Sequence, residues 1–238
     1  MSFPATLALE DGRCFHGRGA GARAEAAGEV VFNTGLTGYQ EIFTDPSYSG
    51  QIVVLTYPHI GNYGTNPDDS ESEQPYIEGL VARELSAVTS NWRSSQSAHD
   101  FLAARDIPII TEIDTRALVR HIRKHGALRG VLSTRGTAQE DLVAKARSIP
   151  SMAGRDLASA VSTAKPYLWT SGPPDCLPSS LPRAAAQGSF HVAAYDFGIK
   201  RNILRQLAGI GARVTVVPCG TSAADVLGLK PAGGFVST

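Results

Sequence analysis

Cysteine is scarce. Cys14, Cys176 and Cys219 lie far apart, odd in number, with no CxxC pair and no Cys/His cluster at zinc-ligand spacing. That excludes a disulfide framework and a finger-type metal site; the expectation is a reducing compartment and no bound metal. Long apolar runs are missing too, since no stretch approaches the roughly 18 apolar residues of a membrane span. The opening MSFPATLALEDG has no basic stretch leading into an apolar one. A cytoplasmic protein without membrane contact is expected. Nor is there a charge excess: 22 basic residues balance 22 acidic ones, so no overall field draws in nucleic acid.

What is present is 238 residues, 42% hydrophobic and 18% charged, enough for a packed core in one large domain or two small ones. The opening alternates around Asp11-Gly12, a hairpin signal. Gly28-Glu-Val-Val-Phe-Asn-Thr and Gln51-Ile-Val-Val-Leu-Thr-Tyr-Pro are β-branched runs between turn formers, hence two further strands. Ser97 starts a short helix, and Ile107-Pro-Ile-Ile-Thr-Glu-Ile reads as a strand. Asp114 caps the next helix, with Ile113 and Leu118 at the hydrophobic-staple positions and Gly126 as its stop. A capping box at Thr137-Ala-Gln-Glu140 opens a third helix.

From Pro150 the composition changes to Pro, Ser, Gly and Ala, a linker with partial order near Tyr167 and Trp169. Beyond Gly188 come a buried-type strand from His191, a helix from Lys200 stopped by Gly209 and Gly211, a strand from Arg213, a helix capped by Ser222 and a strand from Gly234. Such a βαβαβ run predicts a parallel sheet with right-handed crossovers. The expected organisation is an α/β protein: a β-rich N-terminal domain with packed helices over 1–150, a linker over 151–189, and over 190–238 the first βαβαβ of an incomplete sheet, with Val192, Val214, Val216 and Phe235 left partly wet.

Several runs carry a resemblance: Leu9-Glu-Asp-Gly, the segment from Gly28 through Asn33-Thr-Gly-Leu-Thr-Gly-Tyr-Gln-Glu-Ile-Phe-Thr-Asp-Pro-Ser-Tyr-Ser49, Thr56-Tyr-Pro-His-Ile-Gly-Asn-Tyr-Gly, Ile113-Asp-Thr-Arg and Ala194-Tyr-Asp-Phe-Gly-Ile-Lys-Arg-Asn-Ile. In order and over nearly the whole chain, the sequence resembles the small, glutamine-hydrolysing subunit of carbamoyl phosphate synthetase. The resemblance implies an N-terminal domain that supports a large subunit, then a class I glutamine amidotransferase domain with a flavodoxin-like sheet. There a cysteine activated by a His and Glu pair attacks the glutamine amide. It further implies L-glutamine as substrate, a large-subunit partner in a heterodimer or higher oligomer, and ATP and magnesium on that partner rather than here. The product, carbamoyl phosphate, feeds arginine and pyrimidine synthesis.

The family's oxyanion loop, Gly-x-Cys-x-Gly elbow and His and Glu all come later than Phe235-Val-Ser-Thr238. Hence no catalytic residue is assigned, and the chain is expected to be a piece of a longer frame. A naturally short docking module for the large subunit is the alternative. An unrelated nucleotide binder is disfavoured because Phe197-Gly198-Ile-Lys200 is too poor in glycine for a phosphate loop. Cys219, in Val217-Pro-Cys-Gly, has the wrong surroundings for a nucleophile.

One substrate contact is implied by the resemblance: Ser47 in Asp45-Pro46-Ser47-Tyr48, a glutamine-binding residue reached from the N-terminal domain. Its plain alternative is a type I turn with Pro second and Ser third. Asp196-Phe-Gly is either a ligand loop at a strand end or a simple turn. His59 reads as a loop former. Arg116, Arg120, Arg123, Lys124 and Arg129 form either a solvated helix face or a docking patch.

Overall fold

The computed structural model describes residues 3–174 and 188–236, so Cys176, Pro178 and Pro182 lie outside the described residues. The chain divides into two units, Met1–Arg155 and Asp156–Thr238.

The first unit opens with strands β1 (Phe3–Leu9) and β2 (Cys14–Gly21), joined through the expected Asp11-Gly12 turn; the left-handed φ of +93° there suits glycine. Then follow β3 (Glu25–Asn33), helix α1 (Tyr39–Thr44), a 3-10 turn at Pro46–Tyr48, β4 (Gln51–Leu55), β5 (His59–Ile60), β6 (Gly79–Val81) and β7 (Glu84–Leu85). Helix α2 (Ala98–Ala103), β8 (Pro108–Thr111), helix α3 (Thr115–His125), β9 (Leu128–Ser133) and helix α4 (Gln139–Ser148) complete it.

Seven of these strands close into a barrel in the order β1-β2-β8-β6-β4-β3-β9. Closure pairs β3 with β4, β4 with β6 and β6 with β8 in parallel, although all other barrel pairings are antiparallel. Side chains from all seven meet in one buried cluster that includes Leu7, Phe15, Val30, Ile52, Val81, Ile110 and Leu132, together with Leu118 and Ile122 of α3. The opposite face of β4, β6 and β8 is buried as well. There Val53, Leu80 and Ile109 pack on Tyr39 and Phe43 of α1 and Phe101 of α2. Strands buried on both faces explain the near-continuous apolar runs in the sequence.

Two caps form as expected: Ser97 Oγ accepts from Asp100 N at 3.0 Å, and Asp114 Oδ1 from Ala117 N at 2.8 Å. The third does not. Ala138 stands at the N-cap of α4 with no side-chain cap. The Thr137 hydroxyl instead donates to Glu25, whose other oxygen accepts from Lys145 at 2.6 Å. The same hydroxyl, one residue before the N-cap, accepts from Ser133 Oγ at 3.3 Å rather than from a helix amide.

The second unit has a four-stranded sheet in the order β10-β12-β11-β13. Its elements are helix α5 (Ala158–Val161), β10 (Tyr167–Trp169), β11 (Phe190–Asp196), helix α6 (Arg201–Gly209), β12 (Ala212–Pro218), helix α7 (Ala223–Gly228) and β13 (Gly233–Val236). The pairs β11·β12 and β11·β13 are parallel, as the βαβαβ pattern requires, and β10 adds an antiparallel edge on β12. That edge comes from residues expected to be linker. The expectation of wet valines fails: Val192, Val214 and Val216 are buried, covered by Leu204 and Ile199 beside α6 and by Trp169, with Phe235 partly buried against them. One crossover helix and a borrowed edge strand suffice to cover this face.

Candidate functional site

The segment from Gly38 to Ser49, inside the longest run carrying the resemblance, is held from several sides. Helix α1 has no side-chain cap of its own, and Gly38 stands at its N-cap with a left-handed φ of +82°. The missing cap is supplied from a distance: Tyr63 Oη accepts from Gly38 N at 2.7 Å and from Tyr39 N at 3.1 Å. The rings of Tyr39 and Tyr63 stack at 4.1 Å, and Tyr39 Oη donates to the Gly64 carbonyl. Burial raises the Tyr39 phenol and pushes that of Tyr63 up to about 12, so both stay neutral.

Gln40 is buried with both ends of its amide used: it accepts from Asn66 N at 2.9 Å and donates to Ser70 Oγ at 2.8 Å and to the Asn66 carbonyl. Thr44 Oγ1 accepts from Glu71 N. Asn66 and Asp69 in turn bind Arg93, which meets both Asp69 oxygens at 2.7 and 3.1 Å. Such two-pronged pairs fix orientation as well as adding energy. Loop 63–74 therefore acts as a brace for α1. Within this cluster Glu41 Oε2 is buried without a hydrogen-bond partner. Burial, then the nearby Asp69 and Glu71 charges, raise its carboxyl above the usual range, against opposing pulls from backbone hydrogen bonding and Arg93.

Ser47 sits at the tip of this braced segment. Asp45, itself buried, accepts from Ser47 N at 2.9 Å, and Tyr48 N donates to the Asp45 carbonyl. This is the Asx-type turn that Asp-Pro-Ser favours. Asn33 donates to Tyr48 Oη at 2.9 Å and ties the far side to β3. Ser47 is exposed, and its hydroxyl has no protein partner among the described residues. The turn consumes the backbone amide and leaves the hydroxyl available. Among the described residues no histidine or carboxylate hydrogen-bonds that hydroxyl, and the nearby Asp45 carboxylate is engaged with the Ser47 amide, so the hydroxyl's chemistry is hydrogen bonding.

Neither described cysteine is built as a nucleophile. Cys14 Sγ approaches the Gly12 carbonyl, and burial raises its thiol. Cys219 lies 3.6 Å from Ser159 Oγ, and its amide donates to Ser162 Oγ. Asp196 is a strand-end turn former: buried, it accepts from Gly198 N, Ile199 N and Thr163 N. His59 lies in β5, 3.9 Å from Glu84. Among the described residues no cluster of His, Cys, Asp and Glu is placed to hold a metal, and no helix is long and apolar enough to cross a membrane.

The sequence names Ser47 as a glutamine contact only through the resemblance; the structure places it at an exposed turn tip and adds supports that no local pattern names. Asp45-Pro46 announces the turn locally. Gln40, Tyr63 and Arg93 are legible only once loop 63–74 is folded against α1.

Residues 7–132 match the family described as carbamoyl-phosphate synthase small chain, CPSase domain. The carbamoyl phosphate synthase small chain of Syntrophotalea carbinolica is 53% identical over 233 residues, covering 98% of this chain and 62% of the relative. That of Thermosynechococcus vestitus is 50% identical over 237 residues, 100% of this chain and 62% of the relative, and that of Escherichia coli 51% over 236 residues, with 98% and 62% covered. The chain thus spans about three-fifths of the length of these curated relatives. On that span of matching sequence, the chain belongs to the carbamoyl-phosphate synthase small chain family.

Proposed function

We propose that this chain serves the glutamine-dependent synthesis of carbamoyl phosphate, as the part of the small subunit that docks a large subunit and presents Ser47 to glutamine. In this reading 1–150 is the supporting domain. Residues 190–238 begin a flavodoxin-like amidotransferase sheet whose strand order, β12-β11-β13, suits that fold. The large subunit supplies ATP and magnesium chemistry and makes carbamoyl phosphate from bicarbonate and ammonia, in the cytoplasm, for arginine and pyrimidine synthesis. Glutamine hydrolysis needs an activated thiolate with its base, and the two described cysteines are not so placed. The 238-residue chain alone is expected to release no ammonia from glutamine.

The single observation that carries the reading is the free Ser47 hydroxyl on a segment fixed by the tyrosine stack, the Gln40 amide and the Asp45 turn. A hydroxyl held rigidly while its amide is spent within the turn suits binding of the charged amino-acid end of glutamine, remote from the scissile amide. The test is a chimera in which residues 1–238 replace the matching part of the Escherichia coli small chain, assayed with a large chain. Ser47→Ala is expected to raise the glutamine KM roughly threefold to 100-fold with kcat changed less, from a lost contact of about 0.5 to 3 kcal/mol. An unchanged KM in a normally folded variant would remove Ser47 from the substrate site.

A further inference from the structure

The run of basic residues from Arg116 to Arg129 separates into two kinds once folded. Arg129 is spoken for: its Nε donates to Glu10 Oε2 at 2.7 Å, and its amide to Glu10 Oε1 at 2.8 Å. The remainder are not. Among the described residues of the first unit, the Arg and Lys side chains with no hydrogen-bonded, ionic or ring partner are Arg116, Arg120, Arg123, Lys124 and Arg155. All but the last stand on α3.

Helical geometry puts these four on one face. At about 100° per residue they fall within an arc of about 100°, and the stripe from Arg116 to Lys124 is about 12 Å long. All four are exposed, while Leu118 and Ile122 on the other side are buried in the barrel cluster. The nearby acids each have partners other than these four cations. Glu112 pairs with Arg18, Asp114 caps the helix, and Asp11 holds His121 at 2.6 Å. Helix energetics account for Arg123 and Lys124, which complement the dipole at the C-terminal end, but not for Arg116, a cation in the first turn where the dipole disfavours it.

We infer that this face of α3 is a docking surface for a cluster of carboxylates on the large subunit, an inference that rests on the large-subunit partnership proposed above. Guanidinium groups match carboxylates in two-pronged geometry, and three of the four cations are arginines. A long polyanion suits the surface less well. The stripe spans only about three or four base pairs at roughly 3.4 Å each, and the chain's 22 acidic residues balance its 22 basic ones, so no net charge adds to the attraction of a polyanion.

The test is the dissociation constant of the 238-residue chain for the large subunit of its own organism, measured across ionic strength. At low salt the quadruple variant R116Q/R120Q/R123Q/K124Q is expected to bind at least about tenfold more weakly than the parent, with the gap closing as salt rises. R155Q, which removes the free cation outside the stripe, is expected to match the parent. These are exposed positions, and unchanged circular dichroism and Tm show that the variant is folded. Equal affinity of parent and quadruple variant would overturn the docking face while leaving the partnership intact. A parent chain that does not bind the large subunit at all would overturn both. Tighter binding of the parent to a 20-base-pair DNA duplex than to the large subunit, lost in the quadruple variant, would make the face a phosphate binder and reject the carboxylate partner.

Discussion

Single side chains set how this protein responds to pH, and two carboxylates act in opposite directions. Glu10, hydrogen-bonded to Arg129, titrates below its ordinary 4.5. Its contribution to stability is present above 4.5 and is lost as pH falls through the lowered value. Glu41, buried with an unpartnered oxygen, titrates above 4.5. The folded state prefers its neutral form, so stability declines as pH rises from 4.5 through the raised value, where the unfolded chain ionises first. Glu41→Gln is expected to leave Tm near the parent value at pH 4 and to raise it at pH 8, as followed by thermal melts at both. A parent-like slope in the variant would show that Glu41 is solvated. None of this is legible in Tyr39-Gln-Glu41: the acid's burial comes from loop 63–74, whose approach no local pattern announces. Asp45-Pro-Ser47, by contrast, is a turn that the sequence states outright.

Elements show the same division between local and distant causes. Helix α3 is written in its own residues: the Asp114 cap, the Ile113 and Leu118 staple and Gly126, whose φ of +88° suits glycine. Asp114→Ala is expected to cost about 1 kcal/mol through the lost cap, and Leu118→Ala about 2 to 5 kcal/mol through a cavity in the barrel cluster. Urea unfolding of the two variants separates these magnitudes; equal small losses would mean that α3 does not seal the barrel. Helix α4 departs from its capping box at Thr137 because that box is a local pattern, whereas Glu25 reaches Thr137 and Lys145 from β3. Strands β6 and β9 pass unmarked in the sequence. Gly79–Val81 is three residues long, and Leu128–Ser133 contains Arg129 and Gly130 within its apolar run. Gly28 is a further case of distant cause: a Cβ there would meet the Gly50 carbonyl oxygen at 2.4 Å. Since that neighbour is backbone, Gly28→Ala is expected to lower Tm by several degrees, in contrast to the open Gly136, where only the left-handed φ opposes alanine.

At the scale of the whole molecule, barrel closure is the feature that reading along the chain did not reach. Strands could be recognised at Gly28–Thr34 and Gln51–Leu55, but their parallel pairing with each other and onward to β6 and β8 joins residues far apart in sequence. The βαβαβ run of the second unit is legible because each strand and helix follows its neighbour, whereas the edge strand Tyr167–Trp169 and the short helix Ala158–Val161 arise from residues that read as linker. The family follows the same rule in reverse: long mixed runs around Tyr39 to Ser49 carry it, while the contacts that hold this segment come from residues distant in sequence. The central claim, that residues 1–238 are working small-chain structure, is tested most directly by carbamoyl phosphate formation in the chimera paired with a large chain, compared with glutamine and with ammonia as nitrogen source. Synthesis from glutamine at a rate near that of the unmodified Escherichia coli small chain is the predicted result. A chimera that folds and binds the large chain, yet supports synthesis from ammonia alone, would contradict it.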